Sequence, residues 1–102
     1  MSIQNMPAVT RKGDQDAAHC DVPLREGAST NVFANGIGIS RKGDLNTPHG
    51  TPAALCGLHQ AAIAVGSETV FVNGLGCGRV GDTITLCTSV ATGSPDVFAD
   101  GS

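Results

Sequence analysis

The sequence predicts an all-β fold: one small domain, residues 1–102, of three β-hairpin-like units gathered around a metal site. Three observations carry this expectation. Arg-x-Gly-Asp occurs three times, at residues 11–14, 41–44 and 79–82, and the fifth residue after each aspartate can bind a metal: His19, His49 and Cys87. A second motif, Val-Phe-x-Asn/Asp-Gly, recurs at residues 32–36, 70–74 and 97–101 and holds all three phenylalanines. The composition is poor in core-forming side chains, with no Trp or Tyr and fourteen glycines. One Gly-Asp is only a common turn dipeptide, but three in-register copies in so short a chain mark a repeat, and the repeat decides the fold.

The units fall at residues 7–36, 37–74 and 75–101. Residues 1–6 are a lead-in, and Pro7-Ala-Val-Thr-Arg11 reads as the entering strand of the first unit. Residues 12–22 are polar and turn-rich, and residues 23–30 read as a loop. Val32-Phe-Ala-Asn-Gly36 and Val70-Phe-Val-Asn-Gly74 are apolar pairs running into Asn-Gly, the strongest short-range hairpin signal. The returning strands are Ile37-Gly-Ile-Ser-Arg41 and Leu75-Gly-Cys-Gly-Arg79. Gly66-Ser67 and Gly93-Ser94 stand before the second and third Val-Phe motifs; counted from Gly27, the first copy is one residue longer. The middle unit carries an inserted segment, residues 50–58, which delivers His59. Residues 51–64 have the chain's only helical propensity, enough for one or two turns, although residues 61–65 suit a buried strand equally.

Function classes narrow on charge and chemistry. A net charge of −3 argues against nucleic acid, and no apolar run approaches the ~18 residues of a membrane span. The N-terminus lacks the basic start and apolar run of a signal peptide, so synthesis in the cytoplasm and reduced thiols are expected. A core this thin needs help from a metal, a disulfide or a partner. His19, His49, His59 and Cys87 form a complete tetrahedral set for zinc, three of them at equivalent places in three units. Cys56 is the rival ligand, Cys20 adjoins His19, and Cys77 takes the place of Ile39 as a small core residue; a Cys56–Cys77 disulfide is the alternative use of these thiols. Four protein ligands make a closed, structural site, and with no Gly-x-Ser-x-Gly or His-Glu-x-x-His motif the chain is not expected to be an enzyme. Asp14, Asp44 and Asp82 are expected to cap turns or pair with arginine.

Taken together, Pro7-Ala-Val-Thr-Arg-Lys-Gly-Asp14, the Gly-Ser-x-x-Val-Phe-x-Asn-Gly tails and the His/His/His/Cys set resemble the PAAR-repeat proteins over residues 7–101. The second and third units depart from Pro-Ala-Ala-Arg but keep the Arg and Gly-Asp. The resemblance implies a small cone of short strands with pseudo-threefold symmetry and a metal near its point, held by His19, His49, His59 and Cys87. The ion is expected to be zinc, with iron as the alternative. The implied partner is a trimeric β-helical spike of a type VI secretion system or contractile phage tail, one chain per trimer. The tip would assist envelope penetration, without stable membrane insertion, and could carry effector proteins. Made in the cytoplasm and assembled on the spike, it would then be ejected into a target cell or carried on a phage particle. With no extension past Ser102, a stand-alone tip is expected. A zinc-dependent hydrolase and a free-standing effector-adaptor module are the alternatives.

Overall fold

A computed structural model of the chain describes residues 6–18, 21–50 and 57–100. Regular structure is sparse: β1 (Phe33–Ala34) pairs antiparallel with β2 (Ile37–Gly38), and β3 (Phe71–Val72) with β4 (Leu75–Gly76). Among the described residues there is no helix, and so none able to cross a membrane. Both hairpins turn as their Asn-Gly pairs require. Asn35 and Gly36 have φ of 57° and 76°, and Asn73 and Gly74 have 55° and 79°. Positive φ at both central residues is the type I′ turn, whose twist matches that of the flanking strands.

The third Val-Phe motif, like the other two, needs a strand opposite it. The start of the chain supplies one. Phe98 bridges Ala8, the Ala99 N–H donates to the Pro7 carbonyl at 3.0 Å, and the Val9 N–H donates to the Val97 carbonyl at 2.9 Å. The last of these matches Ile39 N–H to Val32 O (3.1 Å) and Cys77 N–H to Val70 O (2.9 Å) in the complete hairpins. The segment from Pro7 thus belongs to the third hairpin as much as to the first unit.

Just beyond, the three units close on one another. Ser40 N–H donates to Thr10 O at 3.0 Å, Gly78 N–H to Ser40 O at 2.9 Å, and Thr10 N–H to Gly78 O at 3.0 Å. These three bonds form a ring with no free end. Gly78 is required there: a Cβ would sit 2.7 Å from the Ser40 carbonyl oxygen and 2.9 Å from Ile63 Cδ1. On one side of the ring lies an apolar cluster of Val9, Ile39 and Cys77 with Ala34, Val72 and Ala99, all buried and drawn from matching places in the repeats. Cys77 is the small core residue expected. On the other side Ile63, Ile84 and Val90 form a second cluster. The phenylalanines belong to neither, and are 55%, 59% and 50% exposed at Phe33, Phe71 and Phe98.

Each Arg-x-Gly-Asp makes the same closed turn. Asp14 Oδ2 accepts from the Arg11 backbone N–H at 2.8 Å and from Arg11 Nε at 2.9 Å, while Arg11 Nη2 reaches Oδ1 at 3.1 Å. Arg41 with Asp44 and Arg79 with Asp82 repeat this fork. The aspartates therefore cap a turn and pair with the arginine of their own unit, joining the two expected roles. The serine loops also match, which corrects the count from Gly27. Ser29 Oγ accepts from the N–H of Asn31 and Val32, Ser67 Oγ from Thr69 and Val70, and Ser94 Oγ from Asp96 and Val97. The anchor is the serine three residues before each valine, so Ala28 stands where the other copies have glycine and no residue is extra. Residues 61–63 are extended, not helical. Their backbone is taken by the Leu45–Ala62 and Ile63–Ile84 bridges; residues 57–60 and 64 are not helical either, and residues 51–56 lie outside the described residues.

Two predictions follow from the ring and its outer ties. Gly78→Ala should destabilise the protein by about 1–3 kcal/mol, the range for overpacking, because the atom in the way is backbone; chemical denaturation measures it. Asp96 Oδ1 accepts from Asn35 Nδ2 at 2.8 Å, tying the first turn to the last loop. Hydrogen bonds from Asn35 and then Ser94 hold its pKa below the usual aspartate value. A lowered folded-state pKa stabilises above the unfolded value of ~3.9, and the benefit is lost as pH falls through the folded one. Wild type should thus melt above Asp96→Ala at pH 7, and the gap should shrink in acid below ~pH 4.

Candidate metal centre

His49 and His59 face each other across the two arms that flank the insertion. Each donates its backbone N–H to the other's carbonyl, at 3.0 and 2.9 Å. Residues directly opposite on an antiparallel ladder send their side chains to the same face. The two imidazoles meet accordingly, with ring centroids 4.1 Å apart and planes at 61°.

Cys87 arrives on a tight turn. Its N–H donates to the Ile84 carbonyl at 3.1 Å, and Leu86 at the third position has φ of 50°. That position normally takes Gly or Asn, and a left-handed leucine costs about 1–2 kcal/mol. Leu86 is 99% exposed, so the turn throws leucine outward and brings cysteine in. Cys87 Sγ lies 3.1 Å from His49 Nε2 and 3.6 Å from His59 Nε2, and all three donor atoms fall within 4.8 Å of one another.

These donors suit a metal. A tetrahedral zinc with Zn–N near 2.0–2.1 Å and Zn–S near 2.3 Å would set nitrogen and sulfur roughly 3.6 Å apart. The outer nitrogens are committed as well: His49 Nδ1 lies 2.9 Å from Thr47 O, and His59 Nδ1 lies 2.6 Å from Gly57 O. A carbonyl only accepts, so in the neutral rings Nδ1 carries the proton and the Nε2 lone pairs point inward. Backbone carbonyls holding the far nitrogen are the usual outer partners of metal-binding histidines. No side-chain motif could have announced them, since any residue supplies a carbonyl. His49 is buried, while His59 and Cys87 are half-buried.

Of the four expected ligands the structure brings His49, His59 and Cys87 together, and His19 lies outside the described residues. Cys20 and Cys56 also lie outside them. Cys77 is a free thiol in the first apolar cluster, and burial pushes its pKa up to about 11. It is chemically quiet and serves as packing.

Loss of a ligand should therefore differ in kind from loss of a core thiol. His49→Ala or Cys87→Ala should lower the melting temperature of zinc-loaded protein by several times the effect of Cys77→Ala. A strong chelator should abolish most of that difference, as differential scanning fluorimetry with and without chelator would show. Comparison with protein-family models and with curated proteins finds no match to this chain.

Proposed function

We propose that this chain is a PAAR-like spike tip: a small pseudo-threefold cone that caps a trimeric β-helical spike and is stiffened near its point by zinc. The observation that carries the reading is the closed ring of Thr10, Ser40 and Gly78, with one outward-facing phenylalanine per repeat. Such a chain offers three equivalent apolar anchors while remaining a single polypeptide, which is what a threefold partner surface asks of a cap. Ile37 and Leu75, each beside a phenylalanine on its hairpin, are exposed as well. His49 and Cys87 follow Ser40 and Gly78 in their units, and Cys87 packs on the second cluster and not on the first, which suits a brace away from the hairpins.

His49, His59 and Cys87 would hold the ion, with His19 as the proposed fourth ligand. The metal would supply a cross-link between the second and third units, and zinc suits the mixed imidazole and thiolate donors better than a hard oxygen-seeking cation. On this reading the protein is made in the cytoplasm, assembled on its spike, and driven through an envelope by a secretion system or phage tail. It has no catalytic duty.

The test is to mix the metal-loaded chain with a trimeric β-helical spike and weigh the complex by native mass spectrometry. One chain per trimer and about one zinc per chain are expected. Replacing Phe33, Phe71 and Phe98 together by serine should abolish the complex yet change the melting temperature little, because the rings are already half in water. Absence of any complex, or equal binding by the triple variant, would refute the docking face; iron in place of zinc would revise only the ion.

A further inference from the structure

The three units meet in one buried layer where their side chains do not match. Two residues past each Gly-Asp stand Asp16, Asn46 and Ile84, and across from them in the same units stand Arg25, Ile63 and Val90. The backbone treats the units alike. Arg25, Ile63 and Val90 donate their N–H to the Asp14, Asp44 and Asp82 carbonyls at 2.7, 3.1 and 3.0 Å. Between units, Arg25 bridges Asn46, Ile63 bridges Ile84, and Val90 bridges Asp16, so the layer closes on itself. All six side chains are buried. The ladder alone would accept any unit beside any other, and in this layer the side chains are what tells the units apart.

The first unit's version is poorly made for stability. Arg25 Nη2 reaches Asp16 Oδ2 at 2.9 Å, with both side chains fully buried. Asn46 Nδ2 donates to the same oxygen at 3.1 Å, and Arg25 Nη1 to the Asp44 carbonyl at 3.3 Å. Asp16 Oδ1 and Arg25 Nε have no hydrogen-bond partner among the described residues. The arginines of the three Arg-x-Gly-Asp turns each reach both oxygens of their aspartate, whereas Arg25 reaches one. Buried ion pairs of this kind are commonly matched or bettered by apolar residues, and Ile84 with Val90 is that apolar solution within the same chain.

What the group does discriminate is its neighbour. Asp16 Oδ2 takes Arg25 from its own unit and Asn46 from the second, and Asn46 is held on its other side by the Ala61 N–H, which donates to Oδ1 at 2.8 Å. With Ile84 beside the first unit instead of Asn46, the buried carboxylate would lose a donor. With Ile or Val where Asp16 stands, the Asn46 amide would be buried without its acceptor. Either mispairing strands a buried polar group, which costs more than a formed hydrogen bond returns. We propose that the buried Asp16–Arg25–Asn46 group fixes the order in which three near-equivalent units close, so that mispaired units, the chain's own or a second copy's, are rejected. A single buried Asn sets register and oligomer state in coiled coils for the same reason. The inference rests on neither the metal nor the docking reading.

The test removes the mark. Asp16→Ile with Arg25→Val gives the first unit the residues of the third, and Asp16→Leu with Arg25→Met stays closer to the original volumes. Wild type and both double variants are unfolded in denaturant, refolded with zinc present at several protein concentrations, and resolved by size-exclusion chromatography with light scattering and by amide NMR. Wild type is expected back as one monomeric species with one set of peaks. The double variants should melt at or above the wild-type temperature, yet return a several-fold larger share of oligomer or of duplicated amide peaks. A variant that refolds to the single wild-type species would overturn the proposal, as would wild type returning as a mixture. A melting temperature well below wild type, or failure of both variants to fold, would overturn it too, since the group would then serve stability and not order.

Discussion

Thr10, Ser40 and Gly78 each give one backbone hydrogen bond to the next, and the third returns to the first. A single bond of this sort contributes about 0.5–1.5 kcal/mol net, so the ring's importance is not its energy. It is a geometric lock. With the three backbones at hydrogen-bond distance, there is no room for a side chain at Gly78, and the flanking residues must splay to either side. Val9, Ile39 and Cys77 go one way into a shared cluster, and the Arg-Gly-Asp turns lead the other way toward His49, His59 and Cys87. The repeat in the sequence is the trace of that lock, because each unit must offer the same backbone to its neighbour.

Polar groups do much of the work that aromatic side chains do in larger cores. Three Arg–Asp forks, three serine loops and the cross-links from the Asn turns each satisfy backbone or side-chain groups that a thin core cannot shelter. Asn73 Nδ2 reaches Asn31, as Asn35 reaches Asp96, so the turn of one unit is held to the loop of another. The apolar clusters are small and separate, and the largest apolar side chains face outward. A protein built this way has surface to offer a partner and a strong incentive to use a metal.

The hairpins were legible in the sequence because type I′ turns are local: Asn-Gly needs no distant partner to declare itself. The candidate donors His49 and Cys87 were legible because they recur in register, and His59 because it is the one histidine that the insertion adds. The serine loop was misread by one residue because glycine, the more conspicuous residue, is not the anchor; the Ser Oγ bonds to the two following N–H groups are. Helical propensity at residues 61–63 lost to two strand bridges formed with segments far away in the chain. The outer carbonyls of Thr47 and Gly57 left no repeating signature. Any residue supplies a carbonyl, so no side-chain pattern marks where these two stand.

The hairpin shared between the two ends of the described chain has a kinetic consequence. Val9 and Val97 are hydrogen-bonded although almost the whole chain separates them. Contacts this distant in sequence form late, since the loop-closure entropy is spent before they return anything. During synthesis the strand from Pro7 therefore waits, unpaired on one edge, until the Val97 segment has left the ribosome. The first two hairpins can form as they emerge, but the third, split between distant segments, cannot, and a chain stalled before Val97 leaves the strand from Pro7 without its hairpin partner.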